Sequence, residues 1–335
     1  MNNRKDDHIR YALSQQTAAN HFDLVRFVPY SMPSLNIDMI DCHVDLFDHR
    51  FKWPVYINAM TGGTNKALEI NTLLAKLAQA CDLAIASGSL SAAIKDPSTK
   101  ESFQTLRKHH PQGFIFANIG LSYDALDAQK AIDILHANAL QVHLNAPQEI
   151  AMPEGDKDFT QWGKNLQSIL STVKVPVIVK EVGFGMSKET IHSLMNLGVN
   201  TIDVSGTGGT NFIQIENQRA GGGIQGLENY GFSTVESLLE AKNLDVCVLA
   251  SGGVRNAYDV VKCLALGAKM VGLSRFFLDV VVEYPLEEAI LRTKQFLTDI
   301  KHLMVILQCQ TIADLTKKPL LFDPLLLSFL HQRQQ

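Results

Sequence analysis

Eight short apolar runs recur between residues 55 and 274. Their lengths and their content of Val, Ile, Leu and Phe are typical of buried strands. The predicted strands are Val55–Met60, Leu83–Ser87, Phe114–Asn118, Leu140–Asn145, Val175–Lys180, Thr201–Ser205, Val246–Ala250 and Met270–Ser274.

Helical patterns lie between these strands, at Asn71–Ala80, Ala128–Ala137, Lys188–Leu197, Thr234–Lys242 and Ala257–Leu266. Strands that alternate with helices form parallel sheets. Eight such units favour a closed barrel over a doubly wound sheet. We therefore predict an α/β fold, a (β/α)8 TIM barrel over residues 55–285, within a single domain spanning 1–335.

The flanking segments are predicted to cover this barrel. Residues 1–54 form an N-terminal extension over one end, with a helix from Arg4 to about Asn20 and short extended pieces such as Ile37–Ile40. Residues 286–335 form a C-terminal helical tail that packs on the barrel or on a neighbouring subunit. Two loops that follow strands, Ala146–Trp162 and Gly206–Ser233, are long enough to be lids or binding loops.

Composition narrows the class of protein. With 46% hydrophobic residues, a net charge of −4 and a pI near 6.3, the chain can fill a core but has no basic field for nucleic acid. Its five cysteines form no CxxC pair, which predicts neither a zinc site nor a disulfide framework and fits a reducing cytoplasm. The charged N-terminus predicts no signal peptide, and no apolar run approaches the roughly 18 residues of a membrane span.

The fourth strand carries the densest polar chemistry. Polar residues Gln141, His143 and Asn145 alternate with apolar ones, Pro147 is expected to end the strand, and Gln148 and Glu149 are expected in the turn. An imidazole, carboxamides and a carboxylate thus meet at one strand end, where the carboxylate is a possible metal ligand. The simpler interpretation is a polar strand terminus that faces water.

The turns after strands six to eight predict an anion site. They read Ser205–Thr210, Ser251–Arg255 and Gly272–Arg275, and glycine-rich turns before helices aim backbone N–H groups at phosphate. FMN would use these turns for its phosphate and would lay its flat ring over the first loop, with Ser89, Asn118 and Lys180 around it. In the alternative interpretation the glycine pairs serve turns, Asn118 caps a helix and Lys180 is structural.

These residues together resemble those of the type II isopentenyl-diphosphate isomerases, which are FMN-dependent (β/α)8 barrels. The resemblance covers nearly the whole chain. It is carried by Arg4–His8, Ala59–Gly63, Asn118–Gly120, Gln141–Asn145 with Gln148 and Glu149, Lys180–Gly185, Ser205–Thr210 and Ala250–Arg255. It implies interconversion of isopentenyl and dimethylallyl diphosphate, a 1,3-allylic proton shift in isoprenoid biosynthesis, with reduced FMN, Mg2+ and NADPH as reductant, in a homotetramer or larger homo-oligomer.

The resemblance also implies residue roles. Diphosphate would be bound by Arg4, Lys5, His143 and Asn145, and Mg2+ by Glu149. Gln148 would also bind the substrate, beside its reacting carbons. The catalytic set would be Gln148, His143 and Glu216. FMN would be held by Ala59, Met60, Thr61, Gly62, Ser89, Asn118, Lys180, Ser205, Thr210, Gly252, Gly253 and Ser274. One departure is Ser89-Leu90-Ser91, where many relatives carry Ser-Gln-Arg, so the anion contact at that corner is open.

The acid–base step is unusual for these residues. A carboxamide such as Gln148 is a poor proton donor at neutral pH, and Glu216 is the one carboxylate expected near the substrate tail. Our hypothesis is that reduced FMN moves the proton through N5 while Gln148 orients the alkene. The alternatives are an FMN-dependent oxidoreductase of the hydroxy-acid oxidase type, which would need a His–Arg pair near the flavin, and a non-catalytic flavin- or phosphate-binding protein.

Overall fold

The computed structural model describes Lys5, Asp7, Arg10, Tyr11, Ser14, Gln15 and residues 20–220 and 224–333. Of the helix predicted from Arg4 to about Asn20, the described residues Lys5, Asp7, Arg10, Tyr11 and Ser14 are helical. Gln15 and Asn20 are described but not helical, because Gln15 lies in a bend and Asn20 caps the 3-10 turn at His21–Leu24, so the prediction is wrong at these two residues. The other residues of that prediction, including Arg4 and His8, lie outside the described residues.

The predicted barrel is confirmed. The strands are β1 (Val25–Phe27), β2 (Val44–Leu46), β3 (His49–Phe51), β4 (Val55–Ile57), β5 (Ala84–Ala86), β6 (Ile115–Gly120), β7 (Ala139–His143), β8 (Val177–Lys180), β9 (Thr201–Asp203), β10 (Cys247–Ser251), β11 (Met270–Leu273) and β12 (Leu320–Phe322). The strands β4 to β11 pair in parallel and close in the order β10-β11-β4-β5-β6-β7-β8-β9. Several strands end earlier than predicted, because their last residues turn into the loops at the C-terminal face.

Helices lie between the barrel strands as predicted. The α-helices are Asn65–Cys81, Ser91–Lys95, Glu101–His109, Ala125–Leu135, Ala146–Ala151, Trp162–Thr172, Lys188–Asn196, Phe212–Ala220, Thr234–Ala241, Ala257–Ala265, Arg275–Glu283, Leu286–Ile306, Ile312–Leu315 and Pro324–Arg333, and 3-10 turns occupy His21–Leu24, Ile37–Met39, Pro97–Thr99 and Leu227–Asn229. Side-chain oxygens of Thr64, Ser187, Ser233 and Asn256 cap four of the barrel helices. Such caps satisfy N–H groups that a helix leaves without partners.

The core has two main clusters, and a third, minor one joins Ala151, Phe184 and Ile213. Of the two main clusters, the larger lies between the barrel and its helices, and the smaller fills the N-terminal end of the barrel interior with Tyr56, Phe114, Phe116 and Met270. The β2–β3 hairpin packs Val44 and Phe51 onto that smaller cluster, so the N-terminal extension covers the bottom of the barrel as predicted. The top of the barrel is therefore the end left for polar groups.

Two further local predictions were wrong. Ile37–Ile40 is not extended, because the Asn36 side chain accepts a hydrogen bond from Asp38 N and starts a 3-10 turn over Ile37–Met39. Gln148 and Glu149 lie in helix Ala146–Ala151 rather than in a turn, because proline is tolerated in the first turn of a helix. The C-terminal tail is helical as predicted, except that Leu320–Phe322 forms β12 and pairs with β1.

The tail packs on the barrel. Leu297, Ile300 and Met304 of helix Leu286–Ile306 are buried in the main core. Among the described residues, no helix is both long enough and apolar enough to cross a membrane.

Candidate active site

A cavity of about 1330 Å³ opens at the C-terminal end of the barrel strands. The structure brings most of the predicted site residues to its wall. Those that line it are Lys5, Ala59, Met60, Thr61, Ser89, Asn118, His143, Asn145, Gln148, Glu149, Lys180, Ser205, Thr210, Gly252, Gly253 and Ser274. Residues separated by most of the chain therefore share one site, as the barrel topology predicts.

Two predicted residues lie behind the wall. A Cβ at Gly62 would lie 2.0 Å from Phe103 Cε1, so this glycine serves close packing. Glu216 is fully buried, and its Oε1 accepts a hydrogen bond of 3.3 Å from Gln148 Nε2. Its Oε2 accepts one of 2.7 Å from Arg219 Nε, so Glu216 contacts the cavity through Gln148.

A chain of hydrogen bonds crosses the cavity floor. His143 Nδ1 lies 2.9 Å from Asn118 Oδ1, and Asn118 Nδ2 donates to Gln141 Oε1 at 3.1 Å. Gln141 Nε2 then donates to Asn58 Oδ1 at 3.3 Å, and Asn58 Nδ2 to Asp203 Oδ2 at 3.3 Å. Because the Asn118 amide group donates to Gln141, its oxygen is left as the acceptor for His143. The network therefore assigns the imidazole proton to Nδ1.

The imidazole of His143 is electrically neutral at pH 7. Burial, with repulsion from Lys5 and Lys180, lowers the pKa of His143 to about 3. A bound polyanion would reverse that balance, because a nearby negative charge favours the protonated ring. His143 can therefore take up a proton when an anionic group enters the cavity.

This chain of hydrogen bonds ends at the buried carboxylate of Asp203. Asp203 is fully buried and accepts hydrogen bonds from Tyr56 Oη at 2.8 Å and Ser251 Oγ at 2.7 Å. With the bond from Asn58, the Ser205 N–H adds a fourth donor at 3.2 Å, and Lys180 Nζ lies 3.9 Å from Oδ2. These partners compensate the cost of burying the charge.

Lys180 is held in the same wall by hydrogen bonds to two oxygen atoms. Its Nζ donates to Glu181 O at 2.6 Å and to Ser205 Oγ at 3.0 Å. Burial lowers the pKa of Lys180, whereas the negative charges of Asp203 and Glu181 oppose that shift. The side chain is thus fixed by three contacts at the point where the barrel opens.

Interlocked glycine turns form a cradle on one side of the cavity. A Cβ at Gly252 would lie 2.1 Å from Gly206 O, and a Cβ at Gly209 would lie 2.7 Å from Gly253 N. Gly252 also has a φ of +91°, which L side chains rarely adopt. The turns precede helices, so their backbone N–H groups suit a phosphate.

The wall next to the cradle suits a flat polar ring. Thr61 Oγ1 is buried and has no hydrogen-bond partner among the residues that the structure describes. A Cβ at Gly88 would lie 2.5 Å from Thr61 O, so the first two loops meet backbone to backbone. A buried hydroxyl without a partner beside a glycine-walled slot fits a ligand that supplies the missing hydrogen bond. Together with the cradle, these features fit FMN.

Helix Ala146–Ala151 forms another part of the cavity wall, where Gln148 and Glu149 line the cavity. Glu149 Oε1 accepts from Asn145 Nδ2 at 2.7 Å, and Oε2 accepts from Asp156 N at 2.9 Å. Across the described ranges, no group of three or more His, Cys, Asp or Glu side chains could hold a metal ion. A cation here would therefore rely on Glu149 and on ligand oxygens, as Mg2+ on phosphates commonly does.

Sequence reasoning missed several contributors. Tyr56, Gln141, Asp203 and Ser251 were not assigned roles, although polar residues within buried strands are a signal that could have marked them. Ser89-Leu90-Ser91 is the segment where the anion contact was left undecided. Ser89 and Ser91 both line the cavity, and their hydroxyls lie 3.2 Å apart. Lys95, the first basic residue that follows, also lines it.

The comparisons with known proteins first define a class. Residues 122–321 match the family model described as FMN-dependent dehydrogenase. The chain is also similar to solved structures of mandelate oxidase, one with (S)-4-hydroxymandelic acid and one, a variant, with (S)-mandelic acid. The TM-score is 0.64 in both cases, at 14% and 15% identity, covering 90% of this chain and 88% of those chains. At this identity the likeness shows the fold alone, a (β/α)8 barrel.

Sequence similarity then defines the family. The chain is 46% identical, over 98% of its length and 96% of the relative, to the isopentenyl-diphosphate delta-isomerase of Staphylococcus aureus strain Newman, and equally to that of strain USA300 / TCH1516. The chain therefore belongs to the FMN-dependent, type II isopentenyl-diphosphate delta-isomerase family. The resemblance drawn from the motifs is confirmed.

Proposed function

We propose that the protein interconverts isopentenyl and dimethylallyl diphosphate by a 1,3-allylic proton shift, as a step of isoprenoid biosynthesis. One observation carries the proposal beyond the family name. Helix Ala146–Ala151 places Gln148 and Glu149 in the same cavity as His143 and the glycine cradle. A cavity that combines a flavin slot with candidate diphosphate ligands has the layout that this reaction requires.

FMN is proposed to occupy the cradle and the slot beside it. Ser205, Thr210, Gly252, Gly253 and Ser274 would hold its phosphate, and Ala59, Met60, Thr61, Ser89, Asn118 and Lys180 would surround its ring. When bound and reduced, with NADPH as reductant, FMN would supply the acid–base group for the proton shift. Lys180 would keep a positive charge beside the electron-rich ring.

The diphosphate is proposed to lie between Lys5 and helix Ala146–Ala151. Lys5, His143 and Asn145 would donate to its oxygens, together with Arg4, which lies outside the described residues. Glu149 would bind Mg2+, because one carboxylate together with substrate phosphate is sufficient for this ion. His143 would become protonated as the polyanion enters, which turns Nε2 from an acceptor into a donor.

Gln148 is proposed to orient the alkene rather than to donate a proton. Glu216 Oε1 accepts a hydrogen bond from the Gln148 amide N–H, and Arg219 donates to the other oxygen of the Glu216 carboxylate. The carboxamide is therefore fixed with its N–H toward Glu216. In this arrangement Glu216 acts on catalysis through Gln148.

The hydroxy-acid oxidase alternative is disfavoured by the site. It would require a histidine paired with an arginine near the flavin. Among the described residues that line the cavity, His143 is the only histidine, and its Nδ1 lies 2.9 Å from the Asn118 amide oxygen. A non-catalytic flavin binder would have no use for Gln148 and Glu149 in the cavity wall.

We further propose that the chain acts as a single FMN-binding domain in the cytoplasm and assembles as a homotetramer or larger. The five cysteines are free, which fits a reducing compartment. Exposed apolar side chains on the C-terminal helices, Leu291, Leu325 and Leu327, support an oligomer surface.

An anaerobic assay tests the function. Protein, isopentenyl diphosphate, Mg2+, FMN and dithionite are combined in D2O, and the product is followed by NMR. We expect dimethylallyl diphosphate that contains deuterium. No conversion, together with flavin reduction by a hydroxy acid such as mandelate, would assign the protein to the oxidases. Normal turnover with 5-deaza-FMN would rule out the proposed role of flavin N5.

A further inference from the structure

Lys157 caps the C-terminal end of helix Ala146–Ala151, which carries Gln148 and Glu149. Its Nζ donates to Ile150 O at 2.9 Å, to Met152 O at 2.7 Å and, at short range, to Glu149 O. An ammonium group has three donors, so all of them are used on main-chain carbonyls. Lys157 is not among the residues that line the cavity. Any effect on the reaction must therefore pass through the helix.

Gly155 and Asp156, the two residues before Lys157, also contact Glu149. A Cβ at Gly155 would lie 2.1 Å from Glu149 O, so only glycine allows this approach. Asp156 N donates to Glu149 Oε2 at 2.9 Å, and Asp156 Oδ2 accepts from Ser122 Oγ at 3.1 Å. Residues 155–157 thus fix both the backbone and the carboxylate of Glu149, and Ser122 ties them to the loop after β6.

The helix needs this support. Ala146–Ala151 has six residues, far below the length at which a helix is stable alone. Its last carbonyls have no partners within the helix, and a cation at that end also matches the helix dipole. Without Lys157, two side chains proposed to touch substrate and metal, Gln148 and Glu149, would be carried on a frayed turn.

We propose that Lys157 is a positioning residue that fixes the Glu149 carboxylate for Mg2+ and diphosphate by capping helix Ala146–Ala151. The inference deepens the proposed function and rests on the role given there to Glu149. The ligand class is a magnesium diphosphate, and the probe that represents it is inorganic pyrophosphate with Mg2+.

Three variants separate positioning from general stability. Lys157→Met removes the charge and the donors but keeps the length of the side chain, and Lys157→Arg restores donors. Lys164→Met is the matched control, because Lys164 is exposed on the next helix, Trp162–Thr172. Each FMN-loaded variant is titrated with pyrophosphate with and without Mg2+ by calorimetry. Hydrogen exchange of the 145–153 peptide, the flavin absorbance and Tm are recorded in parallel.

We expect Lys157→Met to weaken Mg2+-dependent pyrophosphate binding by about tenfold or more, as loss of groups that orient metal ligands does. Exchange of the 145–153 peptide should become faster, with flavin content kept. Lys157→Arg should recover most of the affinity, and Lys164→Met should match the parent protein. Unchanged affinity and unchanged exchange in Lys157→Met would overturn the inference. If the parent protein shows no Mg2+-dependent binding, the metal role of Glu149 fails, while the exchange measurement still decides whether Lys157 orders the helix.

Discussion

Asn118 Oδ1 lies 2.9 Å from His143 Nδ1, and this contact fixes which imidazole nitrogen carries the proton. The ring is neutral in the free protein because the pKa of His143 is lowered to about 3 by burial and by the positive charges of Lys5 and Lys180. An unfolded histidine has a pKa near 6.5. The folded protein therefore binds fewer protons than the unfolded chain between these two values.

The first prediction concerns acid stability. The contribution of His143 to stability is complete above about pH 6.5 and is lost as the pH falls toward 3. Between pH 7.5 and pH 5 this loss should be about 1 kcal/mol, after allowance for water that enters the cavity. Urea denaturation should show that His143→Asn loses less stability over this interval than the parent. An equal loss in His143→Asn and in the exposed control His192→Asn would contradict the assignment.

The second prediction concerns the phosphate cradle. Gly252→Ala places a Cβ 2.1 Å from Gly206 O at a φ of +91°, so the turns must separate. Backbone strain of about 1–3 kcal/mol should lower the affinity for FMN about tenfold or more. Riboflavin, which has no phosphate, should bind as it does to the parent. Fluorescence titration with both flavins measures this.

Gly163→Ala is the control for the cradle variant, since nothing lies within 4 Å of a Cβ at this helical position. It should leave both affinities unchanged. Equal weakening of FMN and riboflavin in Gly252→Ala would place the phosphate elsewhere.

The third prediction concerns the N-terminal segment. Lys5 lines the cavity, and its loss would remove the charge-assisted contact to diphosphate that we propose for it. Lys5→Ala should raise KM for isopentenyl diphosphate roughly tenfold and keep the FMN content. Steady-state kinetics and the flavin absorbance give both values, with exposed Lys66→Ala as the control. Lost FMN with a normal KM would show that Lys5 belongs to the flavin site.

The fourth prediction concerns Glu216. Glu216→Gln removes the charge that pairs with Arg219 and leaves the Gln148 amide group with a weaker acceptor. We expect kcat to fall about tenfold with little change in KM, because Gln148 is proposed to act on the reacting carbons rather than on binding. Gln218→Ala, exposed on the same helix, should be neutral. A higher KM with an unchanged kcat would instead assign Glu216 to substrate binding.

Much of the fold could be predicted because its signals are local. The alternation of apolar runs and helical patterns gave all eight barrel strands, and the barrel topology then brought their C-terminal ends together. The two-residue alternation in Ala139–His143 likewise marked His143 as a strand-end residue. Predictions from local signals were wrong where the same short segment is compatible with two conformations. The Asn36 side chain favoured a 3-10 turn over an extended Ile37–Met39, and Pro147 opened a helix instead of only ending a strand.

The amino-acid sequence by itself determined the barrel, the family and the set of residues at the strand ends, because periodicity and motifs are properties of neighbouring residues. Only the tertiary structure decided how those residues act on one another. Asn58 and Asp203 are 145 positions apart yet share a hydrogen bond, and Glu216 meets Gln148 across 68 positions. Burial and hydrogen-bond partners of this kind depend on chain closure, which no local pattern encodes. For that reason the sequence indicated His143 but not its neutral state, and Glu149 but not the lysine that holds its helix.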